Sequence, residues 1–175
     1  GISFVNVDVP ENTYVTCQTD MFLKYAPCRK IGVTGSKGKT TTSTLTYKIL
    51  CAGGVDCELM GNMGLPVLDY IEEMTEDKIA VIEMSSHQLE FTTASPEVAV
   101  LVNIYEEHLD HYNSYEDYQL AKVNIFRWQD ENDYFVYDFN NEVLSNYADN
   151  YSKAKKINCN MWPQSDVEMI DKTVA

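Results

Sequence analysis

A three-layer α/β fold with a mostly parallel sheet and a phosphate-binding loop is the class this sequence predicts, on three observations. A glycine-rich run, Gly32-Val-Thr-Gly-Ser-Lys-Gly-Lys-Thr40, lies between an apolar segment and a helical one. Two stretches, Lys78 to Met84 and Val98 to Ile104, are almost continuously apolar, as strands covered on both faces must be. Strand-like and helix-like segments alternate along the chain, which is the order a doubly wound sheet requires.

Gly1 to Tyr25 mixes short segments, with Thr16 or Thr19 placed to cap a helix over Met21 to Tyr25. A strand follows from Arg29 and ends at Ile31-Gly-Val-Thr34, and Thr40 to Cys51 reads as a helix with Leu45, Ile49 and Leu50 on its apolar face. Val55 to Leu59 is a short strand, and Leu65 to Met74 is a helix or a turn-rich connector. Beyond the two apolar strands, Tyr115 to Gln129 is a long helix, Tyr134 to Tyr137 a strand, Glu142 to Tyr147 a helix and Lys156 to Asn160 a strand. The tail from Ser165 begins another apolar stretch at Val167 and Ile170 and stops soon after.

The 175 residues suffice for one sizeable core, and the 45% hydrophobic content is that of a folded domain rather than a disordered chain. A net charge of −14 excludes a nucleic-acid backbone as partner, because the clustered Lys and Arg it needs are lacking. An anionic small molecule stays compatible where the positive charge is local, as at Lys37 and Lys39. No stretch is long and apolar enough to span a bilayer and no secretion signal is visible, so the expectation is a cytoplasmic monomer without a membrane partner. Cys17, Cys28, Cys51, Cys57 and Cys159 are odd in number and widely spaced, which fits mostly buried thiols better than a zinc site or a disulfide framework.

The chemistry-bearing residues collect at predicted strand ends. In the loop, Gly35 and Gly38 permit a tight turn with inward N–H groups, Lys39 reaches terminal phosphates and Thr40 offers a hydroxyl to Mg²⁺. The strict phosphate-loop spacing is missed by one residue, since Val33 stands where its first glycine belongs and the glycine is Gly32. Glu83 interrupts an apolar run, where a carboxylate is either a Mg²⁺ ligand or a hydrogen-bond anchor for the next turn. His108, after two carboxylates, suits a metal or a plain surface loop. Lys122 lies four residues after Tyr118 on one helix face, and by residue type alone reads as solvated. Asn62 either contacts a ligand or caps its turn.

Taken together, Thr34-Gly-Ser-Lys-Gly-Lys-Thr-Thr41, Gly61-Asn-Met-Gly64, Glu83-Met-Ser-Ser-His-Gln-Leu-Glu90, Asn103 to Tyr112 and Ala121-Lys122 resemble, in order, the signature of the Mur ligases. The resemblance implies ATP-driven amide formation through an acyl phosphate, with ATP and Mg²⁺ as cofactors. Thr34, Gly35, Ser36, Lys37, Gly38, Lys39, Thr40 and Thr41 would hold the nucleotide. Lys39, His108 and Lys122 would be catalytic; Thr40, Glu83, His108 and a carbamylated Lys122 would serve the metals; Asn62 and Ser85 or Ser86 would touch the muramoyl substrate. Residues 1–28 would be a lead-in from a missing N-terminal domain. Residues 29–175 would be a central ATP-binding domain, cut short and followed by a missing C-terminal one. Ser85-Ser86 with Gln88-Leu89-Glu90 is similar to members that join D-glutamate to UDP-N-acetylmuramoyl-L-alanine, whereas His87 is more like members that add diaminopimelate or lysine. Two other classes compete: a nucleotide-hydrolysing switch, which lacks a guanine-reading Asn-Lys-x-Asp here, and a non-catalytic nucleotide-binding scaffold.

Overall fold

The computed structural model describes residues 10–107 and 111–160. Its elements run α1 (Gln18–Tyr25), β1 (Arg29–Thr34), α2 (Lys39–Ala52), β2 (Cys57–Gly61), β3 (Ile79–Glu83), α3 (Ser86–Leu89), β4 (Val98–Leu101), α4 (Tyr115–Arg127), β5 (Tyr134–Tyr137), α5 (Glu142–Tyr151) and β6 (Lys155–Asn158). The six strands form one sheet in the order β2-β3-β1-β4-β5-β6, and every ladder is parallel. The predicted class therefore holds.

The sheet centre follows from composition. Every residue of β3 is buried, as its unbroken Ile-Ala-Val-Ile run requires of a strand between β2 and β1. β1 pairs with β3 in the register Val33 to Glu83 and with β4 in the register Thr34 to Leu101, so these strands finish side by side. Because β1 is flanked by strands from different stretches of the chain, its carboxyl end opens the crevice where doubly wound sheets bind ligands.

α4 is the best-anchored helix. Ser114 caps it by accepting from the Asp117 N–H, acidic Glu116 and Asp117 occupy the first turn, and Arg127 lies in the last. Its Phe126 stacks on Phe135 of β5 at 4.0 Å between ring centroids, and Phe135 stacks in turn on Tyr137. Burial of each such ring stabilises by about 2 kcal/mol.

Several sequence expectations are corrected. α1 is capped by Cys17, whose Sγ accepts from the Asp20 N–H, and by neither Thr16 nor Thr19. Leu45 and Ile49 on α2 are 54% and 69% exposed, and the buried residue of that helix is Ser43. Leu50, the third residue of the expected apolar face, is half-buried, so periodicity alone did not say which side of the helix the sheet takes. β2 begins two residues later than expected, and β4 stops at Leu101. Beyond it the backbone bonds laterally to the end of β1 and the loop that follows, Val102 N–H to Thr34 O and Ser36 N–H to Asn103 O. Of the two readings for Leu65 to Met74, the turn-rich connector is the one found, with one 3₁₀ turn at Ile71–Glu73. Cys28 and Cys57 are buried, but Cys51 and Cys159 are exposed and Cys17 is half-buried.

Candidate active site

α2 opens without a side-chain cap. Its N-cap is Gly38, in the left-handed region at φ 83°, whereas Cys17, Ser85, Ser114 and Asn141 all cap their helices through side chains. The first-turn N–H groups and the positive dipole end are thus left to an anion.

The loop before α2 is held from beneath. Ser36, buried, places its hydroxyl 2.8 Å from the Tyr118 hydroxyl, donates to Tyr105 O and accepts from the Tyr105 N–H. Asn103 clamps Lys37 from both sides, its Oδ1 accepting from the Lys37 N–H at 2.9 Å and its Nδ2 donating to Lys37 O at 3.0 Å. The Thr34 hydroxyl donates to Met84 O across the β1 to β3 boundary. Both hydroxyls and the Ser36 and Lys37 N–H groups are thus engaged in shaping the loop. Lys37 pairs with Glu107 rather than standing free beside the loop. Gly32, the glycine that missed the motif spacing, lies inside β1, where an added Cβ would come within 2.6 Å of Pro96 Cγ. Packing, not loop geometry, explains it.

Two lysines converge on one carbonyl. Lys39 Nζ donates to Gly35 O at 2.9 Å and Ser36 O at 3.0 Å, and Lys122 Nζ donates to the same Gly35 O at 2.9 Å. Lys122 is 1% exposed, with its ammonium 4.9 Å from the centre of the Tyr118 ring, so the solvated reading is overturned while the shared helix face with Tyr118 is retained. Burial, aided by the neighbouring Lys39 and opposed by Glu107, lowers the Lys122 pKa to about 7.

Glu83, 1% exposed, ends β3 beside the loop. Its Oε1 accepts from Asn62 Nδ2 at 2.9 Å, and its Oε2 is buried with no hydrogen-bond partner among the described residues. An unpaired buried carboxylate oxygen is costly unless a cation or a donor reaches it. The oxygen bonded to Asn62 anchors the turn after β2 rather than the turn that follows Glu83, and the other oxygen is unpaired among the described residues. Among the described residues no three His, Cys, Asp or Glu side chains cluster as a metal cage. Thr40 is exposed at the start of α2. His108 lies outside the described residues.

Beside Glu83 is a cavity of about 830 Å³ whose walls include Asn62, Ser85, His87, Gln88, Glu90 and His111. Ser85 caps α3 in a capping box with Gln88, while Ser86 is buried and outside this lining. Sequence reasoning missed α3 although Ser85-Ser-His-Gln88 carries the S-x-x-Q signature of such a box. It also missed the ring pair His87 and His111, with centroids 4.3 Å apart and His111 Nε2 3.1 Å from Glu90 Oε2. No local spacing links positions 87 and 111.

Gly61 fixes how Asn62 meets Glu83. Its φ is 102°, and a Cβ there would fall 2.3 Å from Glu83 O. Gly61→Ala is expected to destabilise the chain by about 3 kcal/mol, through backbone strain plus displacement of the β2 end. Urea unfolding of the isolated chain checks this; a loss below about 1 kcal/mol would contradict the close approach.

Fold and loop define an α/β domain with a phosphate loop set at the carboxyl end of a parallel sheet. The Mur ligase middle domain matches residues 33–167, and the chain belongs to the Mur ligase family. Among curated relatives, the UDP-N-acetylmuramoylalanine–D-glutamate ligase of Acetivibrio thermocellus is 44% identical over 138 residues, covering 79% of this chain and 30% of that protein. The ligase of the same description from Clostridium kluyveri is 43% identical over 135 residues, 77% of this chain and 30% of that protein. A solved MurF ligase from Thermotoga maritima in complex with ADP superposes with a TM-score of 0.59 at 25% identity, covering 84% of this chain and 38% of that one. The chain thus spans about 30% of the length of the curated relatives it matches. Among the described residues no helix is long and apolar enough to cross a membrane.

Proposed function

We propose that this chain is the nucleotide-handling part of a longer ATP-dependent ligase that joins D-glutamate to UDP-N-acetylmuramoyl-L-alanine. The observation that carries the reading is the meeting, at one end of the sheet, of an uncapped helix N-terminus, two lysines and a half-paired buried carboxylate. Identity above 40% to two D-glutamate ligases supports the amino-acid assignment.

In the proposed reaction the acceptor carboxylate attacks the γ-phosphorus of ATP and ADP leaves. The D-glutamate amine then attacks the resulting acyl carbon, loses a proton and expels phosphate. Lys39, now on Gly35 O and Ser36 O, exchanges those carbonyls for the transferring phosphoryl group, and the α2 N–H groups hold its neighbours. Asn103, Ser36 and Tyr118 keep the loop rigid, so little reorganisation precedes transfer. Mg²⁺ bound by Glu83 and Thr40, with His108 toward a second ion, would supply neutralisation of the crowded phosphate oxygens. Lys122, with its pKa near neutrality, has enough free amine to combine with CO₂, in line with the carbamylated lysine that the family resemblance implies. Asn62 and Ser85, on the cavity wall, would contact the muramoyl acceptor. The isolated chain is expected to show little turnover.

A substrate panel with the full-length parent protein tests this reading, varying acceptor and amino acid. Expected is product with UDP-N-acetylmuramoyl-L-alanine and D-glutamate, and a preference of about 10⁴ over an analogue lacking the side-chain carboxylate. Preference for lysine or diaminopimelate with a muramoyl-dipeptide acceptor would overturn the substrate assignment and keep the chemistry, as His87 on the cavity wall would then suggest. Phosphate release without acceptor and amino acid would overturn the ligase reading.

A further inference from the structure

Away from the sheet end just described, Cys51 and Cys57 face each other with their sulfurs 3.4 Å apart. Cys51 is exposed in the last turn of α2 and Cys57 is buried as the first residue of β2, with Gly53 and Gly54 in the turn between. The helix end is already tied to this turn by backbone bonds, Gly54 N–H to Cys51 O and Val55 N–H to Leu50 O, so neither thiol needs a large chain movement to reach the other. The other three thiols differ: among the described residues no such sulfur pair occurs at Cys17, Cys28 or Cys159.

We propose that Cys51 and Cys57 form a dithiol modification site, which small organic disulfides convert to an intramolecular disulfide joining the end of α2 to the start of β2. The exposed Cys51, as thiolate, attacks one sulfur of the reagent, forming a mixed disulfide and releasing one small thiol. Cys57 then loses its proton and attacks Cys51 Sγ, expelling the second small thiol. Two protein thiols are oxidised, one reagent disulfide is reduced to two thiols, and no other reactant is needed. The order of attack follows from access, and it is reinforced by burial, Cys51 and the carboxylates of Glu58 and Asp56, which push the Cys57 pKa up to about 11. The same acidic surroundings and the −14 net charge favour a cationic reagent over an anionic one. Since α2 starts at the phosphate loop and β2 ends at Gly61, next to Asn62, the bond would link two elements that border the proposed site.

The test is treatment of the intact chain with cystamine, tryptic digestion without reduction, and mass spectrometry. Cleavage after Lys48 and Lys78 releases both cysteines in one peptide, residues 49–78. Expected is that peptide lighter by two hydrogen atoms, in about tenfold or greater excess over the same peptide carrying one cysteamine adduct, because the second thiol is held beside the first. Cys57→Ala should instead retain the adduct on Cys51. A wild-type peptide that is unmodified, carries adducts, or is linked to another cysteine peptide would overturn the proposal whether or not the variant folds.

Discussion

Replacing Lys122 with methionine is expected to stabilise the isolated chain near pH 6 while lowering turnover of the full-length protein by about 10³. The stability effect follows from the sign of the shift. Lys122 has a folded pKa of about 7 against 10.5 for the unfolded chain. Between these values the unfolded chain binds a proton that the native one does not, so this group makes stability rise with pH through that window and imposes its full penalty below it. With a shift of this size the penalty is on the order of 3–5 kcal/mol, offset in part by the bonds to Gly35 O and the Tyr118 ring. Methionine fills similar space, and Gly35 O keeps its bond from Lys39. Urea unfolding at pH 6 and pH 8.5 should show the variant about 1–3 kcal/mol more stable at the lower pH and nearly level at the higher. A variant less stable than the parent at pH 6 would mean that the buried ammonium is well accommodated.

Glu83→Gln is expected to leave the fold intact and to reduce turnover of the full-length protein about 10² to 10³-fold, with weaker Mg²⁺-dependent ATP binding. The substitution is chosen because Asn62 Nδ2 can donate to the amide oxygen as it does to Glu83 Oε1, so the anchoring half of the interaction survives. What is lost is the charge on the unpaired oxygen. Calorimetric titration with ATP and Mg²⁺, together with steady-state kinetics, separates the two roles. Turnover within a few-fold of the parent would make Glu83 an anchor alone.

The sheet was legible because its central strands are apolar without interruption: Ile79 to Ile82 admits no solvent face, and the loop glycines mark where β1 must end. The site was legible in part, as a set of polar residues at strand ends. Burial was the missing information. Lys122 reads as solvated on residue statistics, yet α4 packs so deeply that Tyr118, Lys122 and Phe126 are all fully enclosed. Leu45 and Ile49 fail in the opposite sense, their periodic stripe lying exposed on α2. Contacts between distant positions, such as Asn103 with Lys37 or His87 with His111, have no local signature and required the fold.

The acyl-phosphate route is the central claim, and oxygen tracing tests it most directly. With UDP-N-acetylmuramoyl-L-alanine carrying ¹⁸O in its terminal carboxylate, the full-length protein should transfer one labelled oxygen to each phosphate released, because the oxygen that attacks ATP leaves with the phosphate when the amine displaces it. Phosphate free of label, with both labelled oxygens retained by unreacted acceptor, or with one kept in the amide and the other lost to water, would contradict phosphorylation of the carboxylate and with it the role assigned to this end of the sheet.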